Sequence, residues 1–303
     1  MTLRIGTRRS RLAMAQTQAI AEWLRRVHPD VQVELREITT EGDRRQAAPP
    51  ALSDSKTAFT AELSQALVDD QVDLAVHSAK DLPVEQPPEL CIGCVPPRLA
   101  PNDALISDVA ADVQALPNNA VVGTSSLRRA SQLLSLRPDL QIVPLRGNID
   151  TRIEKVRAGE CQATLLAVAG LQRAGLAEQA AQIIPAELIL PAPGQAALAV
   201  ECRRDRDDLL EMLRPIQHEP SALELAVERL LVVRLGVGCR APLGALARSD
   251  AAHLTLTAAL FTPDGARCCR AGHEAAIDQV EHLVEHVVAQ LHRQGAAEVL
   301  ALC

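Results

Sequence analysis

Apolar positions in this chain switch between a period of two and a period near 3.6, and the switches divide it into strand–helix pairs. Leu3–Ile5 reads as a short strand. Gly6-Thr7-Arg8-Arg9-Ser10 then turns into a helix with Ser10 as N-cap. Along it Leu12, Ala15, Ala19 and Trp23 recur at helical spacing up to a stop at His28-Pro29. Val31–Ile38 alternates as a second strand. The polar stretch Glu41–Thr57 reads as a mobile loop and Ala58–Asp69 as a helix. Val72–Val76 reads as a buried strand that ends at His77-Ser78-Ala79-Lys80-Asp81.

The pattern then recurs. Ala120–Val122 is a strand followed by Gly123-Thr124-Ser125-Ser126 and a helix carrying Arg128 and Arg129. Gln141–Leu145 is a further strand. Thr164–Val168 contains Leu-Leu-Ala-Val, against the earlier Asp-Leu-Ala-Val. Such repetition predicts two related α/β domains. Proline-rich stretches at Val95–Pro101 and Leu190–Gly194 separate the units. Read as crossovers, they insert the second domain into the first and leave a cleft. Ligands in such folds sit at strand carboxyl ends against helix N-termini. The expected boundaries are 1–95 with 195–215 for the first domain and 100–190 for the second. A third domain, 219–303, has a helix at Ser221–Leu235, strands at Leu254–Leu260 and Arg267–Glu274, and a final helix.

Composition narrows the function. At 303 residues the chain is too long for one ordinary core. A content of 48% hydrophobic and 23% charged residues describes a globular protein. A net charge of −7 argues against general nucleic-acid or membrane-surface binding. The only aromatic residues are Trp23, Phe59 and Phe261, too few for a base-stacking platform. No apolar run reaches membrane-spanning length and the first residues lack a signal-peptide pattern, so a cytoplasmic location is expected. Eight cysteines in such a length make no disulfide scaffold. Cys91-Ile92-Gly93-Cys94 is a C-x-x-C without the second pair a zinc site would need.

Charge is distributed unevenly. Between Thr124 and Arg157, the basic residues Arg128, Arg129, Arg137, Arg146, Arg152, Lys155 and Arg157 face only Asp139, Asp150 and Glu154. Arg128 and Arg129 open a helix, where cations oppose the macrodipole, an arrangement that makes sense when an anion completes the site. Arg8, Arg9 and Lys80 occupy the corresponding strand ends of the first domain. Arginine forks suit planar carboxylates, and no glycine-rich phosphate loop is present, so the pattern predicts a polycarboxylate site. His282-Leu283-Val284-Glu285-His286 matches H-x-x-E-H, a zinc-peptidase motif. Its histidines project from the solvated face of the last helix and no carboxylate ligand follows except Glu298, so no metal site is expected. Cys239 sits in the glycine-framed turn Gly236-Val237-Gly238-Cys239-Arg240, where neighbouring Arg240 and Arg234 favour a thiolate.

Several of these segments, in this order, identify a family. The chain resembles the porphobilinogen deaminases over nearly its whole length. The resemblance is carried by Gly6–Ser10, Val76–Pro83, Val122–Arg129, Leu145–Asn148, Thr151-Arg152, Leu166–Leu171 and the Cys239 turn. It implies two α/β domains like those of periplasmic binding proteins, the first discontinuous, plus a small C-terminal α+β domain presenting the cysteine. It implies a monomeric transferase that joins four porphobilinogens head to tail with loss of ammonia, giving hydroxymethylbilane. The primer would be a dipyrromethane cofactor attached covalently to Cys239. By motif match, Asp81 is the catalytic carboxylate. Arg8, Ser10, Lys80, Thr124, Ser126, Arg128, Arg129, Arg146, Arg152 and Arg173 would hold the pyrrole carboxylates.

The sequence departs from the family in places. The active-site loop reads Asp54-Ser55-Lys56-Thr57-Ala58-Phe59, keeping Lys56 and Phe59 but losing the usual glycines. Ala196 stands where glycine is usual, and Glu41 precedes Gly42-Asp43. A reading from another class is therefore carried alongside: a slowed or non-catalytic homologue that binds a tetrapyrrole or other polycarboxylate.

Overall fold

A computed structural model describes residues 2–39, 60–238 and 241–302. In chain order the elements begin with β1 (Thr2–Thr7), α1 (Arg11–Val27), β2 (Gln32–Glu37), α2 (Ala61–Val68), β3 (Leu74–Ser78) and β4 (Leu90–Cys94). There follow β5 (Asp103–Ile106), β6 (Val121–Gly123), α3 (Leu127–Leu136), β7 (Gln141–Val143), α4 (Ile149–Arg157), β8 (Ala163–Ala167), α5 (Val168–Arg173) and β9 (Gln182–Ile183). The remainder is β10 (Leu198–Arg203), α6 (Asp207–Leu213), α7 (Glu219–Leu235), β11 (Leu243–Ser249), β12 (His253–Phe261), β13 (Cys268–Ala276), α8 (Val280–Arg293) and α9 (Ala296–Leu300). None of these helices is long and apolar enough to cross a membrane.

Contacts gather the chain into two compact units, residues 1–99 with 196–222 and residues 100–195 with 223–303. The sheet of the first unit has strand order β2-β1-β3-β10-β4. β1 runs parallel to β2 and β3, and β10 is antiparallel to β3 and β4. The five-stranded sheet of the second unit has order β7-β6-β8-β5-β9, with β6 parallel to β7 and β8, and β5 antiparallel to β8 and β9. The two sheets are therefore topological copies, with β1, β2 and β3 matching β6, β7 and β8. The antiparallel fourth strand is the last of its unit in one case and the first in the other. The repeat in the sequence is a repeat of architecture, two α/β sheets of like topology, and the first unit is discontinuous along the chain, as expected. A separate antiparallel sheet, β11-β12-β13, belongs to the second unit, with α8 packed against β12 and β13.

Burial explains the elements. Leu-Ala-Val-His of β3 is buried throughout, as a central strand covered on both faces requires. Leu3, Ile5, Ile20, Ala21, Leu24, Leu74 and Val200 form one core between α1 and the first sheet. Leu105, Val122, Leu133, Ala163, Leu165 and Ile184 form the corresponding core of the second. At about 1.5–3 kcal/mol for each large apolar side chain fully buried, these clusters outweigh local propensity in fixing the strands. Gly123, at the end of β6, cannot be replaced without displacement. A Cβ there would lie 2.8 Å from Cys161 Sγ and 2.9 Å from Leu145. The strand-to-helix turn thus passes directly against the layer that carries Arg146.

Candidate active site

In the first unit, two strand ends bring the predicted residues to adjacent turns. β1 ends at the buried Thr7, whose Oγ1 receives a 2.8 Å hydrogen bond from Thr17 Oγ1 on α1. Ser10 is the expected N-cap, its Oγ accepting from Ala13 N–H at 3.3 Å. The capping hydroxyl keeps its own O–H for a further acceptor. Arg8 is half-buried between these two anchors. Arg9 points elsewhere, pairing with Glu37 at 3.1 Å on the exposed surface, where such a pair contributes little.

β3 runs straight into a single 3-10 turn, Ala79–Asp81, holding Lys80 and Asp81 half-buried side by side in sequence. The turn is tied down from several directions. Ala79 N–H donates to Ala197 O at 3.0 Å, Leu82 N–H to Ala79 O at 3.3 Å, and Gln16 Nε2 to Ser78 Oγ at 2.8 Å. Beneath it His77 Nε2 lies 3.2 Å from Glu201 Oε2, and both residues are buried. Glu201 also accepts from Ser64 Oγ at 3.0 Å and Gln86 Nε2 at 2.7 Å. Burial alone would raise the Glu201 pKa, but these donors, His77 foremost, hold it below the ordinary carboxylate range.

The second unit repeats the design with more charge. Thr124 is buried, and its Oγ1 accepts from Ser126 N–H at 3.1 Å. Ser126 caps α3 by accepting from Arg129 N–H at 3.4 Å. Arg128 and Arg129 are not solvated. They are 5% and 6% exposed, and both reach Asp103, which is 0% exposed on β5. Arg128 Nη2 donates to Asp103 Oδ2 at 2.7 Å and Arg129 Nη2 to Asp103 Oδ1 at 2.7 Å. Arg128 Nη1 also donates to Leu190 O at 2.6 Å, and Gln195 Nε2 donates to Asp103 Oδ1 at 3.0 Å. Burial would raise the Asp103 pKa, yet the two guanidiniums drive it far below the usual carboxylate value. Burial lowers the Arg128 pKa against the pull of Asp103. Two cations thus share one anion in the interior. Arg129 Nε, itself buried, has no hydrogen-bond partner among the described residues.

The other predicted cations of this unit differ in setting. Arg146 is exposed after β7, and the following Gly147 has φ +121°. Arg152 on α4 is half-buried and donates from Nε to Gly147 O at 2.8 Å, so part of its fork already secures that turn. Arg173 closes α5 half-buried, and burial lowers its pKa to about 10. Cys239, Lys56 and Phe59, together with the loop Glu41–Thr57, lie outside the described residues. The C-x-x-C pair is not poised for reaction. Cys91 Sγ lies 4.0 Å from Cys202 Sγ across β4 and β10, and burial pushes the Cys94 thiol up to about 12.

The residues missed from sequence are the acids and amides behind the cations: Asp103, Gln195 and Glu201. One signal was available. Asp103 opens the apolar strand Asp-Ala-Leu-Ile and Glu201 interrupts Leu-Ala-Val-Glu-Cys, and a charge in a fully buried strand needs a partner.

Comparison with known proteins bears on what such an arrangement does. Residues 3–211 match the model of the family described as porphobilinogen deaminase, dipyromethane cofactor binding domain, and residues 222–292 that of the porphobilinogen deaminase C-terminal domain. The porphobilinogen deaminase of Desulforudis audaxviator is 44% identical over 297 residues, 98% of this chain and 96% of that protein. That of Rubrobacter xylanophilus is 45% identical over 297 residues, covering 98% and 95%. Among solved structures, a nutrient binding protein from Burkholderia cenocepacia bound to methionine aligns with TM-score 0.43 and 11% identity. The alignment covers 70% of this chain and 90% of that one.

Proposed function

The chain belongs to the porphobilinogen deaminase family, and on that premise we propose that Asp81 and the cations at the two sets of strand–helix turns carry its reaction. The enzyme is a deaminating transferase that joins four porphobilinogens head to tail into the linear tetrapyrrole hydroxymethylbilane, using a dipyrromethane cofactor. Every pyrrole in that series carries an acetate and a propionate, so the protein must compensate many carboxylates.

The observation that carries the assignment is the buried Arg128–Asp103–Arg129 trio. Two guanidiniums against one carboxylate leave a net positive charge in a low-dielectric setting, and Arg129 Nε remains an unused donor. An uncompensated buried charge costs several kcal/mol, which an anionic ligand would offset. The donor set therefore fits the cofactor's carboxylates. When bound, the dipyrromethane supplies a free α-carbon to which pyrroles are added, and its thioether link is assigned to Cys239.

The chain's own residues do the rest. Arg8, Ser10, Lys80, Thr124, Ser126, Arg146, Arg152 and Arg173 bind substrate carboxylates, through charge-assisted bonds stronger than neutral ones. Loss of ammonia from an aminomethylpyrrole places positive charge on the pyrrole nitrogen. Asp81 accepts the hydrogen bond of that N–H, stabilises the charge and moves a proton. Its backbone is fixed by the Ala79 and Leu82 bonds, so the carboxylate is pre-positioned rather than recruited. The small-molecule partner is porphobilinogen. We take the protein to act as a cytoplasmic monomer without nucleic acid, and the net charge of −7 supports the last point.

Asp81→Ala tests the assignment. Ammonia release from porphobilinogen should fall by at least about 100-fold, the scale of a lost acid–base group, with an unchanged urea midpoint. Near-normal turnover would remove Asp81 from the mechanism. Cys239→Ala should eliminate the mass increment of two linked pyrroles on the intact chain, and an adduct that persists would place the attachment elsewhere.

A further inference from the structure

The H-x-x-E-H motif of the last long helix lacks a third ligand in the sequence, and the fold supplies one. β13 is the edge strand of the three-stranded sheet, and α8 packs on it. On β13 the residues Cys269 and Ala271 are buried beneath the helix, and His273 follows them on the same side of the strand. His282 and His286 stand one helical turn apart on α8 and meet it. The His273 and His286 rings stack at 3.9 Å between centroids with 14° between planes. The His282 ring lies 6.0 Å from His273 and 6.2 Å from His286, turned by 73° and 61°. One ring nitrogen from each of the three lies within 4.8 Å of the others.

We propose that His273, His282 and His286 form a binding site for one divalent transition-metal ion, fastening the edge strand β13 to helix α8. Three features support it. First, the donors are convergent. A tetrahedral ion with bonds of about 2.0–2.1 Å needs nitrogens roughly 3.4 Å apart, which small side-chain rotations reach from the present spacing. Second, the donor set is all imidazole, with His282 exposed and the other two half-buried. Such a set suits zinc, cobalt, nickel or copper and excludes magnesium and calcium, which require oxygen. Three histidines also leave a fourth position for water. Third, His286 has a partner outside the cluster, because Gln290 Nε2 lies 2.8 Å from His286 Nε2. That contact orients the ring and leaves Nδ1 for a ligand. With the Gln290 amide turned over, its oxygen would accept from Nε2–H, as outer-shell partners of metal-bound histidine commonly do.

The site is independent of the pyrrole chemistry, so its readout need not involve turnover. Chelator-treated full-length enzyme should bind one equivalent of Co(II), with visible d–d bands, without a thiolate charge-transfer band, and competed by one equivalent of Zn(II). Zn(II) should also raise the thermal midpoint. His282→Ala and His273→Ala should each weaken binding by more than the roughly 10–100-fold that loss of an outer-shell partner costs. They should also abolish the thermal shift. His253→Ala, an exposed histidine on β12 beside Asp250, should change neither. Unchanged Co(II) binding in His282→Ala, a thiolate band in the wild type, or no binding at equimolar metal would each overturn the proposal. Because His282 is exposed, its variant folds regardless of the outcome.

Discussion

Replacing Asp103 with Asn gives the most direct test of how the cation cluster is built. The carboxylate accepts three side-chain hydrogen bonds, from Arg128 at 2.7 Å, Arg129 at 2.7 Å and Gln195 at 3.0 Å. An Asn has one acceptor oxygen, so its amide N–H must face at least one guanidinium donor. The variant therefore loses one charge-assisted bond of about 1.5–3 kcal/mol and buries two cations without a counter-charge. Breaking a buried pair in this way costs about 3–5 kcal/mol, and that is the expected loss. It is measured as a fall in urea midpoint, with hydrogen exchange accelerating in β5, β6 and β8 before the first unit. The pH dependence carries its own signature. The folded pKa of Asp103 is depressed below its unfolded value of about 3.9, so its contribution is complete above that value. It declines as pH falls through that value toward the folded pKa. The gap between wild type and variant should be constant from about pH 8 to pH 5 and close on acidification. A loss under about 1 kcal/mol, or a gap that widens in acid, would refute a trio held by an ionised Asp103.

Other substitutions follow from the same geometry. Glu201→Gln exchanges an acceptor of bonds from His77, Ser64 and Gln86 for an amide that must face donors, and should destabilise the first unit by about 2–4 kcal/mol in urea unfolding. It should also lower turnover by loosening the turn that carries Asp81, and an unchanged turnover would separate the two. Ala196 has φ +73°, a left-handed conformation costing an L-residue about 1–2 kcal/mol, so Ala196→Gly should be neutral or stabilising by up to about 1 kcal/mol. A destabilised variant would contradict that backbone. Arg129→Lys keeps the charge but loses the fork, and should lower the fraction of chain carrying the mass increment of two linked pyrroles while leaving the stability in urea within about 1 kcal/mol.

What the sequence makes legible follows a physical divide. The strand–helix order, the Ser10 cap and the duplication were readable because they rest on local periodicity and on short turns that recur. The cations were readable because they break a pattern, lying at helix starts where the dipole disfavours them. Their partners were not. Asp103 meets Arg128 and Arg129 only because β5 lies beside β8, a pairing set by a strand that enters its sheet from a crossover. Glu201 reaches His77 because β10 enters antiparallel beside β3, 124 residues away along the chain. His273 joined the H-x-x-E-H pair for the same reason, since a sequence spacing on one helix says nothing of the strand beneath it. The C-x-x-C of Cys91 and Cys94 lacks the second pair a zinc site needs, and burial in the β4–β10 pairing, which pushes the Cys94 thiol up to about 12, adds a reason that spacing alone does not give.

The reversed place of the antiparallel strand in the two sheets has a consequence for biosynthesis. In the second unit every strand of the five-stranded sheet lies between residues 103 and 183, one uninterrupted stretch of chain. Among the described residues of the first unit β4 pairs only with β10, and β10 begins at Leu198. A nascent chain leaving the ribosome with residues 1–100 exposed holds an unfinished sheet, with the edge of β3 open and β4 unattached. Its missing strand is translated only after the entire inserted sheet, about 5–20 s later at ordinary elongation rates. The N-terminal third must therefore wait for β10 with an open strand edge, while the later-made sheet closes first. Order of synthesis and order of completion run in opposite directions along this polypeptide.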